Sequence, residues 1–319
     1  AVSQDTMVAP PRRVRWLAGP WEEVANLVTI RGRNFYGGML ARDGFNGLRL
    51  WQRNVAPSPA QGGFSFRPER GSAPPVTGAD RVYVFSAGTL QAFDAVTGET
   101  VQQYPDAGKP QHILFDEGVL VTVDPGHVRC LDADSARPLW SHMASEPRHV
   151  VAGDGLVSLV QGSPRRGETC EVVVLDQRTG QVRWRRNDLP WAERATRSVY
   201  HRGMLTFEVS TLNDDGPENA IHIVSAEDGK EIRDLTFLPG MNHVRQARAM
   251  FVGDRLWLLQ GGKGEDKKRE PTEAAALDVA TGNELARHPA GLAHCFPPVA
   301  TTRFLFSGEM DMTDLQTGE

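Results

Sequence analysis

The stretch VVVLDQRTGQVRWRR (172–186) joins an apolar run to an Asp, a Thr-Gly pair and a Trp four residues past the Gly. The apolar run reads as a buried strand, and QVRWRR reads as a second strand leaving a turn. Between them Asp176 can accept backbone N–H bonds from the turn, and Thr179 can do the same more weakly. Gly180 supplies a positive φ without a Cβ clash. The unit is therefore a tight hairpin. Trp184 falls on its outgoing strand, where a large flat side chain can bury against a neighbour.

The unit recurs as ARDGFNGLRLWQR (41–53), AFDAVTGETVQQY (92–104), CLDADSARPLWSH (130–142), IVSAEDGKEIRDL (223–235) and ALDVATGNELARH (276–288). It begins once more as TDLQTGE (313–319). The Gly position falls at Gly47, Gly98, Ala136, Gly180, Gly229, Gly282 and Gly318, at intervals of 36 to 53 residues. Such a period belongs to four-stranded propeller blades of roughly 40–50 residues. A second apolar run precedes most copies, as in DRVYVFS (80–86), GVLVTVD (118–124), GLVSLVQ (155–161) and GMLTFEV (203–209). Helical periodicity is lacking. The sequence thus predicts an all-β protein, a β-propeller of four-stranded blades with seven readable repeats. Trp51, Trp140 and Trp184 are expected to dock one blade on the next. Gln102, Arg233 and Ala286 stand where those copies carry Trp, and Ala136 stands where the others carry Gly, which leaves the geometry of that turn open.

Composition narrows the function classes. At 319 residues, with 40% hydrophobic and 24% charged side chains, the chain suits a large soluble all-β domain or two ordinary ones. It contains no apolar run of about 18 residues, so no membrane span is expected. It opens on Ala1 without the charged and apolar pattern of a signal peptide. A net charge of −5 gives no global field for nucleic acid. Five of the 35 cationic side chains are Lys, a bias read as codon composition rather than phosphate recognition. Cys130, Cys170 and Cys295 lie far apart, which leaves zinc ribbons, thioredoxin-type motifs and covalent haem unsupported.

The repeats resemble those of the pyrroloquinoline-quinone-like (PQQ-like) β-propellers, which include quinoprotein alcohol dehydrogenases and a propeller lipoprotein of outer-membrane assembly. The opening AVSQDTMVAPPRRVRWLAGP (1–20), taken with LARDGFNGLRLWQR (40–53), also resembles bacterial proteins whose propeller follows a methyltransferase-like segment. The resemblance implies one propeller domain over 1–319, with an extended entry at 1–12. Blades are expected near 13–53, 75–104, 110–142, 148–186, 196–235, 244–288 and 292–319. It also implies a periplasmic or cell-envelope location, and a protein partner or an adjacent domain of a larger chain. Two endings are open. Arg13–Leu17 can return as the outer strand of the last blade, with Trp16 as its docking residue, which leaves no raw edge. Alternatively the parent chain continues past Glu319 into an eighth blade.

Propeller sites lie at the central channel, where the first strands converge. Counting six residues back from Gly118, Gly155 and Gly203 gives His112, His149 and Arg197 at one level. His243, Arg245, Arg248 and His294 sit near later strand starts, off that register. Such groups suit an anion or quinone site, or serve as hydrogen-bonded channel plugs. Two imidazoles at one level without an acidic partner set give no metal site. Quinoprotein dehydrogenases hold PQQ with a disulfide between adjacent cysteines, a Ca²⁺ ion and an Asp base. No two cysteines are adjacent here, and LNDDGPEN (212–219) reads as a polar turn rather than a calcium loop. The favoured reading is a non-catalytic scaffold or binding module for a protein partner, an adjacent domain or a small anionic ligand. The alternative is a quinone- or other cofactor-dependent oxidoreductase, with PQQ and calcium in the channel.

Overall fold

The computed structural model describes residues 2–3, 27–37, 39–53, 73–163, 167–209, 219–237, 248–260, 272–290, 299–306 and 312–318. They form seven four-stranded sheets, the blades of a β-propeller. Blade 1 consists of Leu27–Ile30, Arg33–Tyr36, Leu40–Asp43 and Arg49–Gln52. Blade 2 follows with Val76–Gly78, Arg81–Ser86, Thr89–Asp94 and Thr100–Tyr104. Blade 3 is His112–Asp116, Val119–Asp124, His127–Asp132 and Pro138–Met143. Blade 4 is Arg148–Gly153, Leu156–Gln161, Glu171–Asp176 and Val182–Arg186. Blade 5 is Ala195–His201, Met204–Val209, Asn219–Ser225 and Glu231–Phe237. Blade 6 is Arg248–Val252, Arg255–Gln260, Thr272–Asp278 and Glu284–Ala290. In all six the strands pair antiparallel in chain order.

Blade 7 is built differently. Val299–Thr301, Phe304–Phe306 and Met312–Asp314 pair antiparallel, and Val2–Ser3 adds in parallel beside Val299–Thr301. An N-terminal strand therefore joins the last blade, as the closure reading anticipates. It does so with other residues, and beside the first strand rather than outside the third. Arg13–Leu17 and Trp16 lie outside the described residues. The chain forms two compact units: Arg12–Leu189 carries blades 1–4, and Ala1–Pro11 with Pro190–Glu319 carries blades 5–7.

Apolar burial lies between neighbouring blades. In the first unit Phe35 and Trp51 pack with Val82 and Phe93, Tyr83 and Leu90 with Leu120 and Leu131, and Val121 and Cys130 with Leu159 and Val173. In the second, Ile221 and Ile223 meet Phe251 and Leu258, while Trp257 and Leu259 meet Leu305 and Leu315. A blade covered on both faces needs middle strands that are apolar throughout. Leu156–Gln161 is accordingly buried at every position but the last, whereas the outer Pro138–Met143 is half-buried or exposed.

The Asp turns work as the sequence suggests. Asp94 Oδ1 accepts the N–H groups of Val96 and Thr97, each at 2.8 Å, and Asp176 Oδ1 accepts those of Arg178 and Thr179 at 3.1 and 3.0 Å. In blade 5 the Ser225 hydroxyl takes the same place, with longer bonds of 3.3 and 3.4 Å. The Thr97 N–H, opposed by desolvation, leaves the Asp94 carboxyl below its usual range; the Arg183 guanidinium and the turn bonds hold Asp176 down to about 2.

In blades 1–6 a bulge between the third and fourth strands follows the turn and re-aims the fourth strand. The Trp51 indole N–H donates to the Ala95 carbonyl at 3.2 Å, and that of Trp140 to the Gln177 carbonyl at 2.8 Å. Each accepting residue directly follows the turn Asp of the next blade. The rings press on the turn itself: a Cβ at Gly98 would lie 2.6 Å from Trp51, and one at Gly180 2.5 Å from Trp140. Glycine is thus required twice over, for its positive φ and for its missing side chain.

Blade 2 resolves the two irregularities together. Its docking group is Tyr104, two residues past Gln102, whose hydroxyl donates to the Ala133 carbonyl at 2.5 Å. No indole covers the turn of blade 3, so Ala136 fits there. That turn keeps the common geometry: Ala136 adopts φ +59° and donates to Asp132 O at 3.0 Å, as Gly98 and Gly180 do in their turns. Arg233 docks on Gly282 and donates to the Ala280 carbonyl. In blade 6 it is His288, not Ala286, that meets the next turn, at Gly318. Trp184 is half-buried on the fourth strand of blade 4, opposite Val174.

Candidate functional site

Strand register shows which first-strand residues are equivalent from blade to blade. His112 pairs with Val123, four residues past the start of its second strand, and Arg197 pairs with Glu208 at the same position. In blade 4 the residue at that position is Arg148, paired with Val160. His149 sits in a bulge beside it at φ +53° and leaves the register. The prediction for blade 4 is therefore off by one residue. A bulge inserts a residue without changing composition, so counting along the sequence misses it.

Arg248 needs the opposite correction. It pairs with Leu259 and occupies the equivalent register position. The turns of blades 3–5 put both residues at positive φ with Gly second, as in Glu117-Gly118. Blade 6 has Gly253 first and positive φ there alone, so a count from Gly slips by one. Aligning the copies on the first residue of the second strand brings the four residues into one register. His112, Arg148, Arg197 and Arg248 thus mark one basic register position in four consecutive blades. His243, Arg245 and His294 lie outside the described residues.

These side chains are not equally available. His112 is exposed. Arg148 is half-buried and committed, donating to the Gly162 carbonyl at 2.8 Å and to Cys170 Sγ at 3.1 Å. Arg197 stands 3.6 Å from Glu208 Oε1, and that buried oxygen also accepts the Ala249 N–H at 3.0 Å. Blades 3 and 4 carry Val123 and Val160 where blade 5 carries Glu208. The carboxylate ties blade 5 to the first strand of blade 6 and holds Arg197 in place. Sequence reading missed Glu208, whose only signal is an acidic residue inside the apolar run MLTFEV.

The described residues do not fit the PQQ and calcium arrangement that the family resemblance implies. Among them no three His, Cys, Asp or Glu groups lie close enough to share a metal ion. Cys130 and Cys170 are free and buried, and burial pushes the Cys130 thiol up to about 12. The best-placed carboxylate, Glu208, is already bonded to Ala249 and Arg197. LNDDGPEN lies outside the described residues except for Asn219. Among the described residues no helix is long and apolar enough to cross a membrane.

A family model described as outer membrane protein assembly factor BamB, built on PQQ repeats, matches residues 38–199 and again 125–295. The chain belongs to this family. The two overlapping matches are what repeats produce, since one blade array aligns on another in more than one frame. The BamB crystal structure from Moraxella catarrhalis is similar at 13% identity and a TM-score of 0.53, covering 90% of this chain and 81% of that one. A europium-containing methanol dehydrogenase is similar at 12% identity and 0.56, covering 94% and 79%. Quinohemoprotein alcohol dehydrogenase from Comamonas testosteroni reaches 13% and 0.57, covering 93% and 66%. Likeness at such identity is likeness of fold, which an assembly factor and two dehydrogenases share here. No curated protein sequence matches the chain.

Proposed function

We propose that the chain is a binding module that docks a protein partner along the outer edges of its blades. One observation carries the reading. The residue three past the turn position is exposed and apolar on four fourth strands: Leu50 (43%), Val101 (45%), Ile232 (43%) and Leu285 (50%). Each of these strands ends its sheet. An edge strand has unpaired backbone groups, and an apolar side chain at a repeated position gives a partner strand or loop something to bury. Scattered exposed apolar residues are ordinary, but recurrence at one register position is not scatter. Membership of the BamB-type family supports the same reading.

Photo-crosslinking tests it. A benzoyl-phenylalanine at Leu50, Val101 or Ile232 should give a discrete adduct in cells, and one at the exposed turn residue Glu117 should not. Equal labelling from both places, or none from the edges, would overturn the proposal.

A second reading rests on the basic register position. Arg197, held by Glu208, suits a small anion. Calorimetry with PQQ, with and without Ca²⁺, tests the oxidoreductase version. Saturable binding lost in Arg197→Ala would favour the cofactor-dependent enzyme over the scaffold. Absence of heat would leave the edge-docking reading.

A further inference from the structure

Between blades 2 and 3, and between blades 3 and 4, the first turn of one blade faces the Asp turn of the next. Both grooves are bridged by side chains. Arg81 reaches from blade 2 to the Ala133 carbonyl at 2.8 Å, with Asp134 3.1 Å away. Between blades 3 and 4, Gln177 donates to Asp116 at 2.9 Å and Arg178 to the Glu117 carbonyl at 2.7 Å.

The equivalent groove between blades 6 and 7 is an open cleft of about 280 Å³. Leu315 stands where Gln177 stands and Gln316 where Arg178 stands, one position and two past the turn Asp. Leucine has no donor to span the groove, and glutamine is shorter than arginine. Val252, Trp257 and Leu315 give the cleft a buried apolar floor. Arg255 and Gln316 stand exposed at its rim. Asp254 also borders it, but its carboxylate is ion-paired with Arg202. Among the described residues Arg255 makes no ion pair, so the rim offers one cation and one amide above an apolar floor. A pocket of that kind fixes a ligand by a few polar groups while its body is desolvated.

We propose that this cleft binds a small carboxylate on an apolar body, the carboxylate held by Arg255 and Gln316 and the body lying over Trp257 and Leu315. The guanidinium fork matches two carboxylate oxygens, which a neutral amide cannot reproduce. The two bridged grooves serve as internal comparisons, since their own side chains span the same space.

Saturation-transfer NMR on the purified chain tests this, with phenylacetate and phenylacetamide as probes. Phenylacetate should saturate at about millimolar concentration or below, at least about tenfold tighter than the amide. Arg255→Gln should remove that preference. Gln316→Arg, which copies Arg178, should abolish binding of both probes without lowering the melting temperature. Equal binding of acid and amide, unchanged acid binding in Arg255→Gln, or no saturation up to about 10 mM would overturn the assignment.

Discussion

Replacing Gly180 with Ala would set a methyl group 2.5 Å from Cγ and 2.7 Å from Cδ2 of Trp140, on a backbone at φ +71°. The left-handed conformation costs an L-residue about 1–2 kcal/mol. Displacing a packed ring adds about 1–3 kcal/mol. Together they predict a loss of about 2–5 kcal/mol for Gly180→Ala. Gly118→Ala is the control, because Gly118 has φ +77° and nothing within 4 Å of its would-be Cβ. It should show only the backbone part. A third variant carries Trp140→Gln with Gly180→Ala, reproducing the natural pair Gln102 and Ala136. Its cost should fall below the sum of the single changes by about 1–3 kcal/mol, the energy of the removed clash. Urea unfolding followed by far-UV circular dichroism and tryptophan fluorescence reads all of these. Coincidence of the two probes is the condition for assigning free energies. If Gly180→Ala costs no more than Gly118→Ala, or if the double variant is simply additive, tryptophan docking does not explain the glycine.

Three further outcomes follow from the buried and titrating groups. Glu208→Val copies Val123 and Val160, but it should destabilise by about 2–4 kcal/mol, since it strands the Ala249 N–H and the Arg197 charge; Glu208→Gln should cost less, and thermal melts rank them. Asp176 is held at about 2 when folded, first by Arg183, and would titrate near 3.9 in the unfolded chain. Its contribution is therefore complete above about pH 4 and is lost as pH falls through about 2, so Asp176→Asn should flatten that part of an acid-unfolding curve. The Cys130 thiol, at about 12 and fully buried, should stay unalkylated by iodoacetamide at pH 8 until the protein unfolds. Peptide mass spectrometry reads that directly, and labelling of native protein within minutes would contradict it.

The fold was legible because each blade repeats a local rule: an Asp, a positive-φ turn, and a docking side chain soon after it. Residues close in sequence make those bonds, so sequence periodicity reports them faithfully. The docking partner was legible only where it was Trp. Tyr104 and His288 do the work two residues further on, because successive odd or even positions share one strand face and a long side chain can reach from either. The candidate site was less legible for a comparable reason. Its level depends on pairing across strands, and one bulge at His149 and one changed turn at Gly253 each shift the count by a residue. Glu208 was invisible because its partner, Ala249, offers a backbone group that any sequence would supply.

The varied docking groups bear on how the chain folds. A run of near-identical repeats invites the wrong neighbours to pair while the chain is still partly folded, and misassembly of this sort is a recurrent failure of repeat proteins. Here successive joints differ: an indole enters at Gly98, a phenol at Ala133, an indole again at Gly180, a guanidinium at Gly282 and an imidazole at Gly318. Tyr104 set against the Gly180 turn would leave a void, and Trp51 set against Ala136 would collide. The lapses in the repeat thus set the phenol, guanidinium and imidazole joints apart from the two indole joints, which share one pattern, and so reduce the number of interchangeable neighbours.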